Sequence, residues 1–144
     1  MPELPDETRP TVVLCDYAEN VNGKLYIQGA GWSRLAADVP FPMAIAVFWR
    51  IPWGQSNQPH RIVLALMTED GTPFLDPEGK PVRAEGSMEV GRPPGLKAGT
   101  SLDAPLAVRL PPLAFPAGGY RVEFHVNDSL EATASFQAHG GGTQ

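Results

Sequence analysis

Tyr120-Arg121-Val122-Glu123-Phe124-His125-Val126 alternates apolar and polar side chains at every step. A two-residue period is the signature of a strand with one face on a core and the other toward water. This reading points Tyr120, Val122, Phe124 and Val126 inward, and Arg121, Glu123, His125 and Asn127 outward. Asn127-Asp128 then turns the chain into a last strand, Leu130 to Gln137. Neither stretch carries the three-to-four spacing of an amphipathic helix.

Working upstream, the same rhythm of short apolar runs and turn residues continues back to Thr11. Leu106, Val108 and Leu110 make a strand ended by Pro111-Pro112. Val82 to Val90 alternates, with Arg83, Glu85, Ser87 and Glu89 on a wet face. Two tight turns, Glu69-Asp70-Gly71 and Asp76-Pro77-Glu78-Gly79, flank Pro73-Phe74-Leu75 and predict a small hairpin or edge excursion. Ile62 to Met67 is apolar on both faces. So is Met43 to Ile51, with Met43, Ile45, Val47, Trp49 and Ile51 on one side and Ala44, Ala46 and Phe48 on the other. A strand of that kind sits in the middle of its sheet. Asn22-Gly23 favours a type I′ turn and pairs Asp16 to Val21 with Lys24 to Gln28. Gly29-Ala30-Gly31 reads as a bulge or bend before Trp32.

The total is roughly eight strands, and the expectation is an all-β, immunoglobulin-like antiparallel β-sandwich. Pro116-Ala117-Gly118-Gly119-Tyr120 resembles the entry to the tyrosine-corner strand of such folds, where the ring is buried and the hydroxyl returns to nearby backbone. The domain is expected over residues 11–138, between an N-terminal arm over 1–10 and a glycine-rich tail over 139–144.

Composition narrows the function classes. The 16 prolines and 15 glycines among 144 residues are spread through the turns, which suits many strand ends. A net charge of -5 with scattered basic residues argues against nucleic acid as a partner. No apolar stretch reaches bilayer length, and the acidic, proline-broken start is unlike a secretory signal. Cys15 alone cannot form an internal disulfide, so the cytoplasm is the expected compartment.

Catalytic chemistry finds little footing. His60, His125 and His139 share no metal-ligand spacing and read as solvated histidines. Asp70, Asp76 and Glu78 belong to ordinary turns and not to a calcium loop. Gly29-Ala30-Gly31-Trp32-Ser33 matches neither a nucleophile elbow nor a dinucleotide fingerprint. Cys15 lies in an apolar run, where a thiol is inert. The chain is expected not to be an enzyme and to need no cofactor.

A surface is the better candidate. Trp53-Gly54-Gln55-Ser56-Asn57-Gln58-Pro59-His60 is a polar loop with an aromatic ring at its base. Such a ring either stacks on a sugar or folds back and caps the sandwich. Trp53, Asn57 and His60, together with Arg92, form the candidate interaction surface. Strand edges offer another route. Val82 to Val90 is guarded by charge, whereas Thr11 to Cys15 is not, which predicts self-association. The expected function is therefore a non-catalytic binding or assembly module acting on a protein partner or on itself. A carbohydrate-binding sandwich is the alternative.

Val13 to Glu19, Asn22 to Trp32, Ile51-Pro52-Trp53, Glu69-Asp70-Gly71, Val90 to Leu96 and Pro116 to Tyr120 together resemble a family of uncharacterised bacterial, mostly actinobacterial, single-domain β-sandwich proteins. The resemblance implies a cytoplasmic sandwich and brings no activity, substrate or catalytic residue with it. It marks Gly91-Arg92-Pro93-Pro94-Gly95 as either a functional loop or a rigid crossover. Leu64-Ala65-Leu66 leading into Glu69-Asp70-Gly71 is also similar to sugar-recognising sandwich domains appended to polysaccharide exporters, a likeness of architecture alone.

Overall fold

The computed structural model describes residues 9–140, and within them the chain is all-β with no α-helix. Twelve strands follow in order: β1 Thr11–Cys15, β2 Tyr17–Val21, β3 Lys24–Gln28, β4 Arg34–Ala36, β5 Ala44–Phe48, β6 Arg50–Ile51, β7 His60–Thr68, β8 Arg83–Met88, β9 Leu102–Asp103, β10 Leu106–Arg109, β11 Gly118–Val126 and β12 Ser129–His139. A 3₁₀ turn, Trp53–Gln55, lies between β6 and β7. Most of the expected arm and tail falls outside the described residues, although His139 is still strand, paired with Ala36.

Two sheets share the main core. One has the order β1-β5-β10, the other β4-β12-β11-β7-β8. Val12, Leu14, Ile45 and Val47 of the first meet Leu64, Leu66, Val122, Phe124 and Phe136 of the second. Alternation along each strand delivers these residues to one side, as the sequence pattern predicts. Tyr120 is buried, and its hydroxyl donates to the Pro116 carbonyl at 2.5 Å. Its ring joins Phe74, Phe115 and Phe136, with centroids 5.6, 5.2 and 5.5 Å away. Phe74 reaches that cluster from the excursion after β7, where bridges Met67 to Pro73 and Leu75 to Pro81 form the expected small hairpin.

A third layer explains why β5 is apolar on both faces. Asn22 and Gly23 adopt φ of 52° and 78°, the left-handed pair that the type I′ turn requires. The β2–β3 hairpin they close folds over the outer side of the three-stranded sheet. Cys15, Ala18, Ala44 and Ala46 are buried there, with Val13, Leu25, Ile27 and Ala107 against them. Small side chains on β5 let the hairpin approach closely. Phe48, one step further along that face, is 48% exposed because the hairpin ends before it. Cys15 donates a long hydrogen bond to the Ala44 carbonyl at 3.5 Å, and burial pushes its thiol above the ordinary range.

Three expectations need correction. Met43 to Ile51 is not one strand: it breaks at Trp49, beyond which Arg50 and Ile51 pair with β9 instead of β10. The partner chain is interrupted at the same level by Ala104 and by Pro105, which has no N–H to give the ladder. Second, the strand pairing is not wholly antiparallel, since β4 pairs in parallel with the end of β12. Third, the outward face of β11 is not simply wet, because Glu123 is only 7% exposed.

Candidate functional site

Three of the four residues singled out from the sequence come together at one end of the fold. Pro52 ends β6, and the 3₁₀ turn behind it points the Trp53 carbonyl inward, where Ser56 N–H and Ser56 Oγ donate to it at 3.2 and 2.7 Å. Arg92 closes the group from a loop 39 residues away. Its Nη2 donates to the same carbonyl at 2.8 Å, and its Nε to Ser56 Oγ at 2.6 Å. The guanidinium carbon lies 4.2 Å from the centroid of the Trp53 ring, a cation–π contact. Asn57, at φ 60°, donates its N–H to the Val90 carbonyl at 2.7 Å. These contacts staple the 52–59 and 90–95 loops together. Trp53 is half-buried, and Arg92 stands where a sugar would stack on that ring face.

His60 departs from the expected pattern. It opens β7 and is 3% exposed, so it is neither a loop position nor solvated. Nε2 donates to the Gln55 carbonyl at 2.9 Å, and Nδ1 faces Asn127 Nδ2 at 3.4 Å, an arrangement that fixes the tautomer. Its ring meets Trp49 edge-on at 5.9 Å. Capping of the core occupies it fully.

A second constellation lies on the outer face of the five-stranded sheet. Glu123 on β11 accepts from Arg121 Nε at 2.6 Å and from His125 Nε2 at 2.9 Å. Burial alone would raise the carboxyl, but these hydrogen bonds and the charges behind them outweigh it and hold Glu123 below the usual carboxylate range. Beside it, β7 presents Val63, Ala65 and Met67 outward, the first of them only 8% exposed. They line a cleft of about 330 Å³, which Pro73 and Pro81 wall on the far side. Glu85 bridges Arg61 and Arg83 at 3.2 Å each, and Asp128 pairs with Arg61. An apolar strip ringed by mutually satisfied charges is the result. Among the described residues no group of three or more His, Cys, Asp or Glu is placed to hold a metal ion.

Sequence reasoning missed this cleft because alternation assigns Glu123 and His125 to water. The available signal was Ile62 to Met67, whose outward positions are as apolar as its inward ones.

The Glu123 cluster has a testable pH signature. A carboxyl held low in the folded state adds stability that is complete above its unfolded pKa of about 4.3 and drains as the pH falls through the folded value. Thermal melts from pH 7 to 3 should therefore show Glu123→Gln losing about 1–2 kcal/mol at pH 7. The gap to the parent should narrow in acid. A constant gap would place the effect in packing instead.

Comparison with curated proteins gave no match. A family model does match, over residues 10–139, which takes in every strand described above and both constellations. The chain belongs to DUF6941, a family of unknown function.

Proposed function

We propose that this chain is a non-catalytic binding module of immunoglobulin-like sandwich type, and that its partner is a protein held on the outer face of the five-stranded sheet. The architecture is supported by the strand order. Facing sheets of three and five strands make eight, one of them the short parallel strand β4 beside β12, and the tyrosine corner lies on β11. The hairpin β2–β3 is an addition to that frame.

The observation that carries the binding reading is the outward strip Val63, Ala65 and Met67 in its charge-ringed cleft. Outward sheet positions are ordinarily polar, and an apolar strip with a polar rim marks a contact surface. The rim charges are already paired, so the surface suits a partner side chain of low charge entering the cleft. A lone, buried thiol and the absence, among the described residues, of any helix long and apolar enough to cross a membrane accord with a cytoplasmic setting. Self-association would use β1, the edge strand of the three-stranded sheet. Sedimentation that gives only monomer at high concentration removes that mode.

Ala65→Arg fills the cleft from its floor and leaves the core side of β7 untouched. In pull-downs from host extract, proteins retained by the parent should be lost with Ala65→Arg and kept with Arg92→Ala. Loss with Arg92→Ala alone would return the binding surface to the loops, and equal retention by both variants would remove it from the cleft.

A further inference from the structure

The β2–β3 hairpin is joined to the rest of the fold unlike any other part of it. Among the described residues its two strands pair only with each other, and no ladder connects them to either main sheet. Their apolar contact is a satellite cluster of small side chains, with Cys15, Ala18, Ala44 and Ala46 as its buried members. The main core beside it holds twenty buried residues, among them the large side chains Ile45, Leu64, Leu66, Tyr120, Phe124 and Phe136 from β5, β7, β11 and β12. Among the described residues, two side-chain ties reach across. Asn20 Nδ2 donates to the Pro105 carbonyl at 3.0 Å, and Arg109 Nη1 donates to the Tyr17 hydroxyl at 2.7 Å, with its guanidinium carbon 5.0 Å from the ring centroid. Each tie is exposed to water.

The two ends of the hairpin differ. Its base is closed by Asp16 N–H, shared between the carbonyls of Gln28 and Gly29, and the Asp16 carboxylate packs where a Gly29 side chain would stand. Both Gly29 and Gly31 lie in the left-handed region, at φ 66° and 94°. A cleft of about 430 Å³ separates the tip from the end of β5, lined by Gly23, Leu25, Phe48 and Pro105 among others. Among the described residues the tip thus stands off the end of β5, whereas the base is pinned.

We infer that the hairpin is a flap that opens from its tip while the two main sheets stay folded, uncovering Cys15 and the Ala44–Ala46 face of β5. Segments with few apolar contacts and no ladder to their neighbours are those that open below the global unfolding free energy. The flap covers a smooth strip of small residues and one thiol, so opening presents a surface distinct from the outer cleft. The inference does not depend on what that cleft binds.

Labelling of Cys15 with the disulfide reagent DTNB in the intact chain tests this. Cys15 is the one cysteine, so the released thiolate reports a single site. The labelling rate is measured against urea, beside the equilibrium unfolding curve. At low urea the logarithm of the rate should rise with a slope of less than about half the global m-value, because a hairpin exposes far less surface than the whole fold. Arg109→Ala and Asn20→Ala should each raise the low-urea rate about three- to tenfold while the unfolding midpoint moves little. Tyr120→Phe should do the reverse, moving the midpoint and leaving the low-urea rate alone. A slope equal to the global m-value at every urea concentration would show that the thiol is reached only through full unfolding. Labelling as fast as a free thiol, with no urea dependence, would show that there is no closed flap. Either result overturns the inference, as does an Arg109→Ala rate equal to the parent's.

Discussion

Phe124→Ala is expected to cost about 3–5 kcal/mol and to lower the melting temperature by more than about 10 °C. Phe124 has no exposed surface and lies in the second half of β11, the strand paired on one side with β7 and on the other with β12. Its ring meets Trp49 at 5.4 Å and near-perpendicular planes, and Trp49 in turn meets His60. Removing it opens a void bounded by both main sheets, which a rigid pair of ladders cannot collapse to fill. Urea unfolding should show the loss at an unchanged m-value. Retention of the parental midpoint would mean that the two sheets do not share this core.

Tyr120→Phe is the next largest effect, about 1–2 kcal/mol, for the loss of one oxygen. The ring keeps its place among Phe74, Phe115 and Phe136, so area burial is unchanged. What goes is the 2.5 Å bond to the Pro116 carbonyl, which ties the loop entering β11 to the first turn of that strand. Burial raises the Tyr120 phenol above its ordinary value, as does the charge of Asp38, so the hydroxyl stays a donor through the neutral range. Tyr26→Phe is the matched control, since Tyr26 is 55% exposed. Thermal melts of the two variants should separate clearly, and coincident curves would remove the tyrosine corner from the account.

The strands that were legible in the sequence are those whose environment is symmetrical along their length. β11 alternates because one face is core and the other is not, and Asn22-Gly23 turns because few other pairs tolerate two left-handed residues. β5 looked central, and it is, but periodicity could not say that its second face is covered by a hairpin and not by another sheet. β4 was invisible: three residues carry no period, and their pairing with Gln137 to His139 is a long-range event. The break at Trp49 was hidden for a related reason, because its cause lies at Ala104 and Pro105 on the partner chain.

The candidate site divides in the same way. Trp53, Asn57 and Arg92 were marked for their chemistry and do converge, although the stacking of Arg92 on Trp53 joins loops that no local pattern connects. His60 was read as wet because it borders a polar loop, yet its ring is held by Gln55 and Trp49. Glu123 was assigned to solvent by alternation and is nearly buried by its own neighbours two residues away on either side. Residues i and i+2 lie on one face of a strand, so a Glu flanked by Arg and His at that spacing can be satisfied and covered at once.

In-cell photocrosslinking from position 67 tests the binding surface most directly. A benzoylphenylalanine replacing Met67, at the edge of the outer cleft, should yield a discrete protein adduct. The same group at Asn57, on the stapled loops, should yield none. Adducts from position 57 without any from position 67 would contradict a binding face on the five-stranded sheet.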